Sequence, residues 1–304
     1  MSRRFPYIDL LRFIAALAIV VHHIEQYRDE MLLPSHWNNP IVHNLGHIAV
    51  TFFFVLSGFL VANSLIRQRD NGSLNIRHSY RRRALRILPL YLLLVVSSAL
   101  IFQHIPSWQS DSSTLSPMEF VLYLFLFPNV AITLFPPNAF LAHTWFIGTL
   151  EQTYLVLPPL FRTKNSRTIA TIIAIICIYW VLGALFKFTH CPQYLYEFWH
   201  YFNIDVILIG VLLAMLQHGN SRITAILTNR WGLLFTIVAT VALIASGYTI
   251  PFVYKQMLAL LFGVLILNVA TTNRISKIFE NCITRFLGDI SYALFLFIPF
   301  VLSP

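Results

Sequence analysis

Apolar runs of about the same length recur along the chain, and short polar segments divide them. The runs fall at roughly 8–27, 46–66, 87–105, 143–161, 168–188, 199–217, 231–248, 255–272 and 286–303. A helix that crosses a bilayer needs about 20 mostly apolar residues, and each run comes close to that length. The pattern predicts an all-α, polytopic membrane helix bundle of about nine to ten transmembrane helices. A further apolar run at 119–135 is broken by Pro128 and closed by Pro136 and Pro137. Non-helical backbone at membrane depth is tolerated where protein surrounds it, so this run reads as a re-entrant segment, the alternative being a further crossing with one basic loop on the outer side. No repeat, low-complexity segment or soluble module interrupts the pattern. The expectation is one membrane-embedded domain over 1–304.

Composition supports lipid as the solvent. Hydrophobic residues make up 57% of the 304 positions and charged residues 11%, against about a quarter charged in soluble domains. Mean hydropathy is +0.69. The formal net charge of +9 could suggest a nucleic-acid partner, but the basic residues sit between the apolar runs. They include Arg3 and Arg4, the series Arg67, Arg69, Arg77, Arg81, Arg82, Arg83 and Arg86, then Arg162, Lys164, Arg167, Arg222, Arg230, Arg274, Lys277 and Arg285. The segments 29–45 and 106–118 contain no Lys or Arg. Such asymmetry marks cytoplasmic loops. It places the N-terminus in the cytoplasm and leaves nucleic acid out. Cys177, Cys191 and Cys282 have neither disulfide-framework nor metal-ligand spacing. The histidines show no ligand spacing either, so no metal is expected.

The first run, "FPYIDLLRFIAALAIVVHHIEQY", carries Asp9, Arg12, His22, His23 and Glu25. Ionisable groups at membrane depth are costly and mark pathways or reaction sites. Arg12 and His23 lie about three helical turns apart, roughly 16 Å along the axis and within ~20° of one face, whereas His22 points some 80° away. Asp9, one turn before Arg12, can pair with its guanidinium. The sequence thus singles out a row, Asp9–Arg12–His23. His47, Ser57, His143 and Glu151 add polar groups inside other runs. The arginines of "YRRRALRILPLY" have two readings: an anchor on anionic lipid, or a grip on the phosphates of an anionic ligand.

Five stretches, in order, resemble the acyltransferase-3 family of integral membrane O-acyltransferases. They are "IDLLRFIAALAIVVHH", "FFFVLSGFLV", "YRRRALRILPLY", "TWFIGTLEQTYLVLPPL" and "LGDISYALFLFIP". In the Trp-containing motif the family's usual Glu falls on Leu150, with Glu151 one position later, and the His before Pro of the late motif falls on Ile298. The resemblance implies transfer of an acyl group, often acetyl, from cytosolic acyl-CoA to a hydroxyl of a carbohydrate or similar acceptor. A hydroxyl is a weak nucleophile and needs a base, and histidine titrates near pH 6.5 when unperturbed. His23 is therefore expected to act as general base or acyl relay, supported by Arg12 and Asp9. Arg82, Arg83, Arg86 and Ser57 are expected on the donor side, and His47, His143, Trp145 and Glu151 on the acceptor side. The competing reading is a transporter that uses an Arg/His pathway. It lacks the inverted repeats and paired helix breaks common in transporters.

Overall fold

A computed structural model describes residues 6–101, 104–105, 114–189, 191–219, 222–247 and 253–271, and individual helical positions between 284 and 297. Arg3, Arg4, Arg274, Lys277, Cys282, Arg285 and Ile298 lie outside the described residues.

The described residues are helical and contain no strand. In chain order the helices are α1 (Pro6–Glu30), α2 (Pro40–Asp70), α3 (Ile76–Leu100), α4 (Pro117–Leu124), α5 (Pro128–Leu134) and α6 (Trp145–Leu160). They continue with α7 (Asn165–Phe188), α8 (Gln193–Phe202), α9 (Ile204–His218), α10 (Arg222–Leu227), α11 (Arg230–Ala245) and α12 (Tyr254–Thr271). Five spans combine the length and apolarity needed to cross a membrane: α2, α3, α7, the α8–α9 stretch Gln193–His218, and α12. The nine to ten crossings expected from the sequence therefore stand at five among the described residues.

Local chemistry explains where the elements start and break. Asn75 caps α3 by accepting from the backbone N–H of His78 at 2.9 Å, which draws the arginine run into a helix. Ser116 and Glu119 form a reciprocal capping box at the start of α4, satisfying two donors that a helix start leaves orphaned. The 119–135 run is not one helix. It is α4 and α5, of 8 and 7 residues, joined through Leu126 in the left-handed region (φ 65). At about 1.5 Å per residue, neither is long enough to cross a bilayer alone. The 199–217 run also divides, at Asn203 (φ 29), whose side-chain amide donates to the carbonyls of His200 and Tyr201 at 2.9 and 3.1 Å.

The chain forms two compact units, residues 1–63 with 206–298 and residues 64–205 with 299–304. In the first unit α2 and α9 cross in backbone contact. A Cβ at Gly58 would fall on the carbonyl oxygen of Ile207, and one at Gly210 on that of Val55. Small residues at such a crossing let helices approach closely where lipid supplies no hydrophobic drive. Phe52 and Phe262 meet edge to face, 5.5 Å between centroids, joining α2 to α12. We expect Gly58→Val to push α2 and α9 apart and to lower the thermal unfolding midpoint of the detergent-solubilised protein by several degrees. An unchanged midpoint would mean the crossing contributes little.

In the second unit α5 packs against α6 and α8. Asn129 and Gln152 exchange two amide hydrogen bonds, each 2.9 Å, and Gln152 also donates to Leu126 O at 3.1 Å. A Cβ at Gly148 would meet Pro128 Cδ at 2.7 Å, so the glycine gives the proline its seat. On α7, the hydroxyl of Tyr179 donates to Trp199 O at 2.6 Å, and the indole N–H of Trp199 donates to Tyr179 O at 2.9 Å.

The surfaces are apolar on the outside. On α11, Thr236 and Thr240 are buried, their hydroxyls returned to carbonyls one turn back at 2.7 Å. Trp231, Phe235, Val238 and Val241 of the same helix are exposed. On α7, Ile178, Val181, Leu185 and Phe188 likewise point outward. Exposed apolar faces of this size are foreign to water-soluble proteins. They fit helices surrounded by acyl chains.

Candidate active site

The ionisable row of α1 lies on the helix face that packs into the first unit. Ile8, Ala15, Ala16 and Ile19 are buried, whereas Ile14, Leu17 and Val21 are exposed. Arg12 and His23 fall on the buried stripe by helical spacing, and both are half-buried. Arg12 Nη1 lies 3.8 Å from Asp9 Oδ1.

The late motif meets the first one here. A Cβ at Gly288 would lie 2.5 Å from Asp9 Cβ and 2.9 Å from its Cα. The absence of a side chain at position 288 therefore sets how Asp9 sits beside Arg12. We expect Gly288→Ala to displace Asp9 and to cut turnover about tenfold or more, the scale expected when supporting contacts shift a reacting group by an ångström. Steady-state kinetics checks this, and full turnover in the variant would refute it.

At the other end of α1, the rings of His22 and His23 meet edge to face at 5.2 Å. Gln26, one turn on, is a hydrogen-bond partner of His23. His22 turns toward α2, where its Nδ1 donates to the carbonyl of Val42 at 3.3 Å. A Cβ at Gly46 would lie 2.7 Å from His22 Cδ2, so this glycine makes space for the ring. Ser57 is half-buried beside the Gly58 crossing, and His47 is exposed.

The remaining expected residues belong to the second unit. Arg82 is exposed and donates to Ser64 Oγ at 3.2 Å. Arg86 is exposed as well. Arg83 differs from both: its Nε donates to both carboxylate oxygens of Glu151 at 2.9 and 3.1 Å. Its guanidinium carbon lies 3.0 Å from the centroid of the Tyr154 ring. Arg83 is thus committed to α6, as is Tyr80, whose hydroxyl donates to Leu155 O at 2.6 Å. The structure brings together two residues that the sequence placed on opposite sides of the reaction, Arg83 with the donor and Glu151 with the acceptor. Leu150 is buried. His143 is half-buried in the 3₁₀ turn before α6, and Trp145 contacts Tyr201 edge to face at 5.3 Å.

Sequence reasoning missed Tyr154, Tyr80 and the Asn129–Gln152 pair, whose partners lie far apart in the chain. It also missed Trp37 and Gly46, single residues with no period to flag them. Among the described residues no three of His, Cys, Asp and Glu gather to hold a metal ion. Cys177 is exposed and Cys191 half-buried, both as free thiols.

Described residues that hold helices and no strand, with apolar exteriors and an ionisable row turned inward on the first helix, fit an integral membrane protein with polar chemistry at depth. Residues 5–304 match the acyltransferase domain that defines one such group, and the chain belongs to the acyltransferase-3 family. A candidate O-acetyltransferase of Staphylococcus aureus (strain COL) is 26% identical, covering 97% of this chain and 50% of the relative. The peptidoglycan O-acetyltransferase OatA of Listeria monocytogenes is 25% identical over 97% of this chain and 49% of its own length. YrhL of Bacillus subtilis, a candidate peptidoglycan O-acetyltransferase, is 23% identical over 97% of this chain and 48% of its own. The chain spans about half the length of the curated relatives it matches. No solved structure matches it.

Proposed function

We propose that the protein is an O-acyltransferase that moves an acyl group, acetyl in the first instance, from acyl-CoA to a hydroxyl of a carbohydrate. The observation that carries this reading is the inward-facing Asp9–Arg12–His23 row in a chain of this family. His23 accepts the proton of the acceptor hydroxyl as its oxygen attacks the thioester carbonyl. The carbon–sulfur bond breaks, and the imidazolium returns the proton to the departing thiolate. In the variant form of this chemistry, the His23 nitrogen first takes the acyl group and then passes it on. Arg12, held by Asp9 on the same helix face, keeps a fixed positive charge suited to a phosphate of the anionic donor.

In the second unit, Arg82 and Arg86 are the arginines suited to donor phosphates, because Arg83 is occupied by Glu151 and Tyr154. The names of the relatives point to a glycan acceptor, and acyl-CoA is the donor that a cytoplasmic basic face suits. The protein would lie in the bacterial inner membrane with its N-terminus in the cytoplasm. The test is transfer of labelled acetyl from acetyl-CoA to an N-acetylglucosamine oligosaccharide by the purified protein in lipid nanodiscs. No transfer to any hydroxyl acceptor, combined with donor-independent flux of the oligosaccharide in liposomes, would replace the enzyme with a transporter.

A further inference from the structure

Between α1 and α2 the chain makes a short connection, residues 31–39, that is held more firmly than its exposure suggests. The buried carboxylate of Glu25 accepts from the backbone N–H of His36 and, at 3.1 Å, from Arg28 Nη1. Ser35 Oγ donates to Asp29 Oδ1 at 3.0 Å, and Leu33 N donates to Arg28 O at 2.8 Å. Leu32 takes a left-handed conformation (φ 56) in the turn that ends α1. These contacts hold the loop on both sides of its aromatic residue.

That residue is Trp37, and its surroundings are unusual. The indole lies 5.0 Å from the His22 ring and 4.5 Å from the His43 ring, tilted about 55° to each. It is half-buried, and His43 is exposed. His22 spends its Nδ1 hydrogen on Val42 O, so its neutral ring keeps Nε2 as an acceptor. Gly46 lies beside that nitrogen, close enough that a Cβ would sit 2.9 Å away. The cluster is one ring contact from His23. A flat apolar face, an imidazole acceptor and a second exposed imidazole thus sit side by side in a fixed loop, next to the candidate base.

We propose that Trp37, flanked by His22 and His43, is the platform of a pyranose-binding subsite for the acceptor. The chemistry of recognition is direct. The C–H face of a pyranose carries small positive charge and stacks on the negative face of an indole. The ring hydroxyls around its edge need acceptors such as His22 Nε2 and partners such as the His43 ring. Trp also holds a ligand at small cost in side-chain entropy, because it has two rotatable bonds. This proposal rests on the acyltransferase reading only in calling the sugar an acceptor; the binding itself does not require it.

The experiment is equilibrium binding of N-acetylglucosamine tetramer to the full chain in nanodiscs, with no acyl donor, followed by calorimetry. The wild-type protein is expected to bind the tetramer. Trp37→Ala is expected to weaken binding about tenfold or more, and Trp37→Phe, which keeps a stacking face, to stay within about threefold. Absence of wild-type binding overturns the proposal, as does equal affinity of wild type and Trp37→Ala. A thermal midpoint for each variant separates loss of the site from loss of the fold, and if Trp37→Ala unfolds, Trp37→Leu, which keeps an apolar side chain without a stacking face, takes its place with the same tenfold expectation. Acetyl transfer is measured in parallel. Binding that depends on Trp37 without any transfer would sink the enzyme and leave the subsite. Transfer that depends on His23 with binding indifferent to Trp37 would do the reverse.

Discussion

His23→Ala is expected to lose about 10²- to 10⁴-fold in acetyl transfer, the usual contribution of a positioned general acid–base group. The loss should fall on kcat rather than on the apparent affinity for acetyl-CoA, because the imidazole acts on the hydroxyl proton as the bond forms. The side chain shares the buried stripe of α1 with Ala15, Ala16 and Ile19. Truncation at this half-buried position therefore leaves a small polar gap, not a disrupted core. Arg12→Ala should instead weaken the apparent affinity for acetyl-CoA by about tenfold or more, the scale of one lost hydrogen bond to a charged group. Cys177→Ala, at an exposed position on α7, serves as the control for handling and reconstitution. Transfer by His23→Ala at the wild-type rate would end the mechanism. Rates measured at matched protein concentration in nanodiscs, with label counted in both acceptor and free acetate, separate transfer from hydrolysis.

The second large effect concerns the clamp between α3 and α6. Arg83→Met leaves Glu151 with its charge mostly shielded from water and no cation beside it. Removing one partner of a buried pair costs about 3–5 kcal/mol. Their side chains are 22% and 13% exposed, so the lower end of that range is the expectation. The double variant Arg83→Met with Glu151→Leu should recover most of the loss, since matched apolar replacements of a buried pair are often near neutral. The measurement is a double-mutant cycle on unfolding midpoints in detergent. The same variants ask what Arg83 does. With Arg83 as a clamp, the double variant keeps its affinity for acetyl-CoA. A loss of donor affinity that persists when stability has returned would make Arg83 a phosphate ligand after all.

The large features of the fold were legible because lipid imposes a simple rule on sequence. Runs near the bilayer thickness, such as those that became α2, α7 and α12, declare themselves by composition alone. The inward stripe of α1 was legible for the same reason, since helical spacing fixes which residues share a face. Pro128 announced the break near Leu126, but the left-handed step at Asn203 and the short α10 had no such mark. An apolar run carries no mark of where one residue will turn. Pairings were obscure too. Nothing local indicates that Arg83 meets Glu151, that Gly288 lies on Asp9, or that Gly46 accommodates His22. These are choices of tertiary contact between stretches tens to hundreds of residues apart, and amphipathic period carries no information about them.

The seat of Asp9 against Gly288 also bears on how the chain is made. The first helix leaves the ribosome bearing an acid, a cation and two imidazoles, a combination the translocon inserts reluctantly. The backbone that closes over its acid is synthesised about 280 residues after it, roughly 15–60 s later at about 5–20 residues per second. Until then that end of the helix waits in the bilayer with its companion still unmade, which is an interval in which membrane proteases and insertion chaperones can act on the nascent protein.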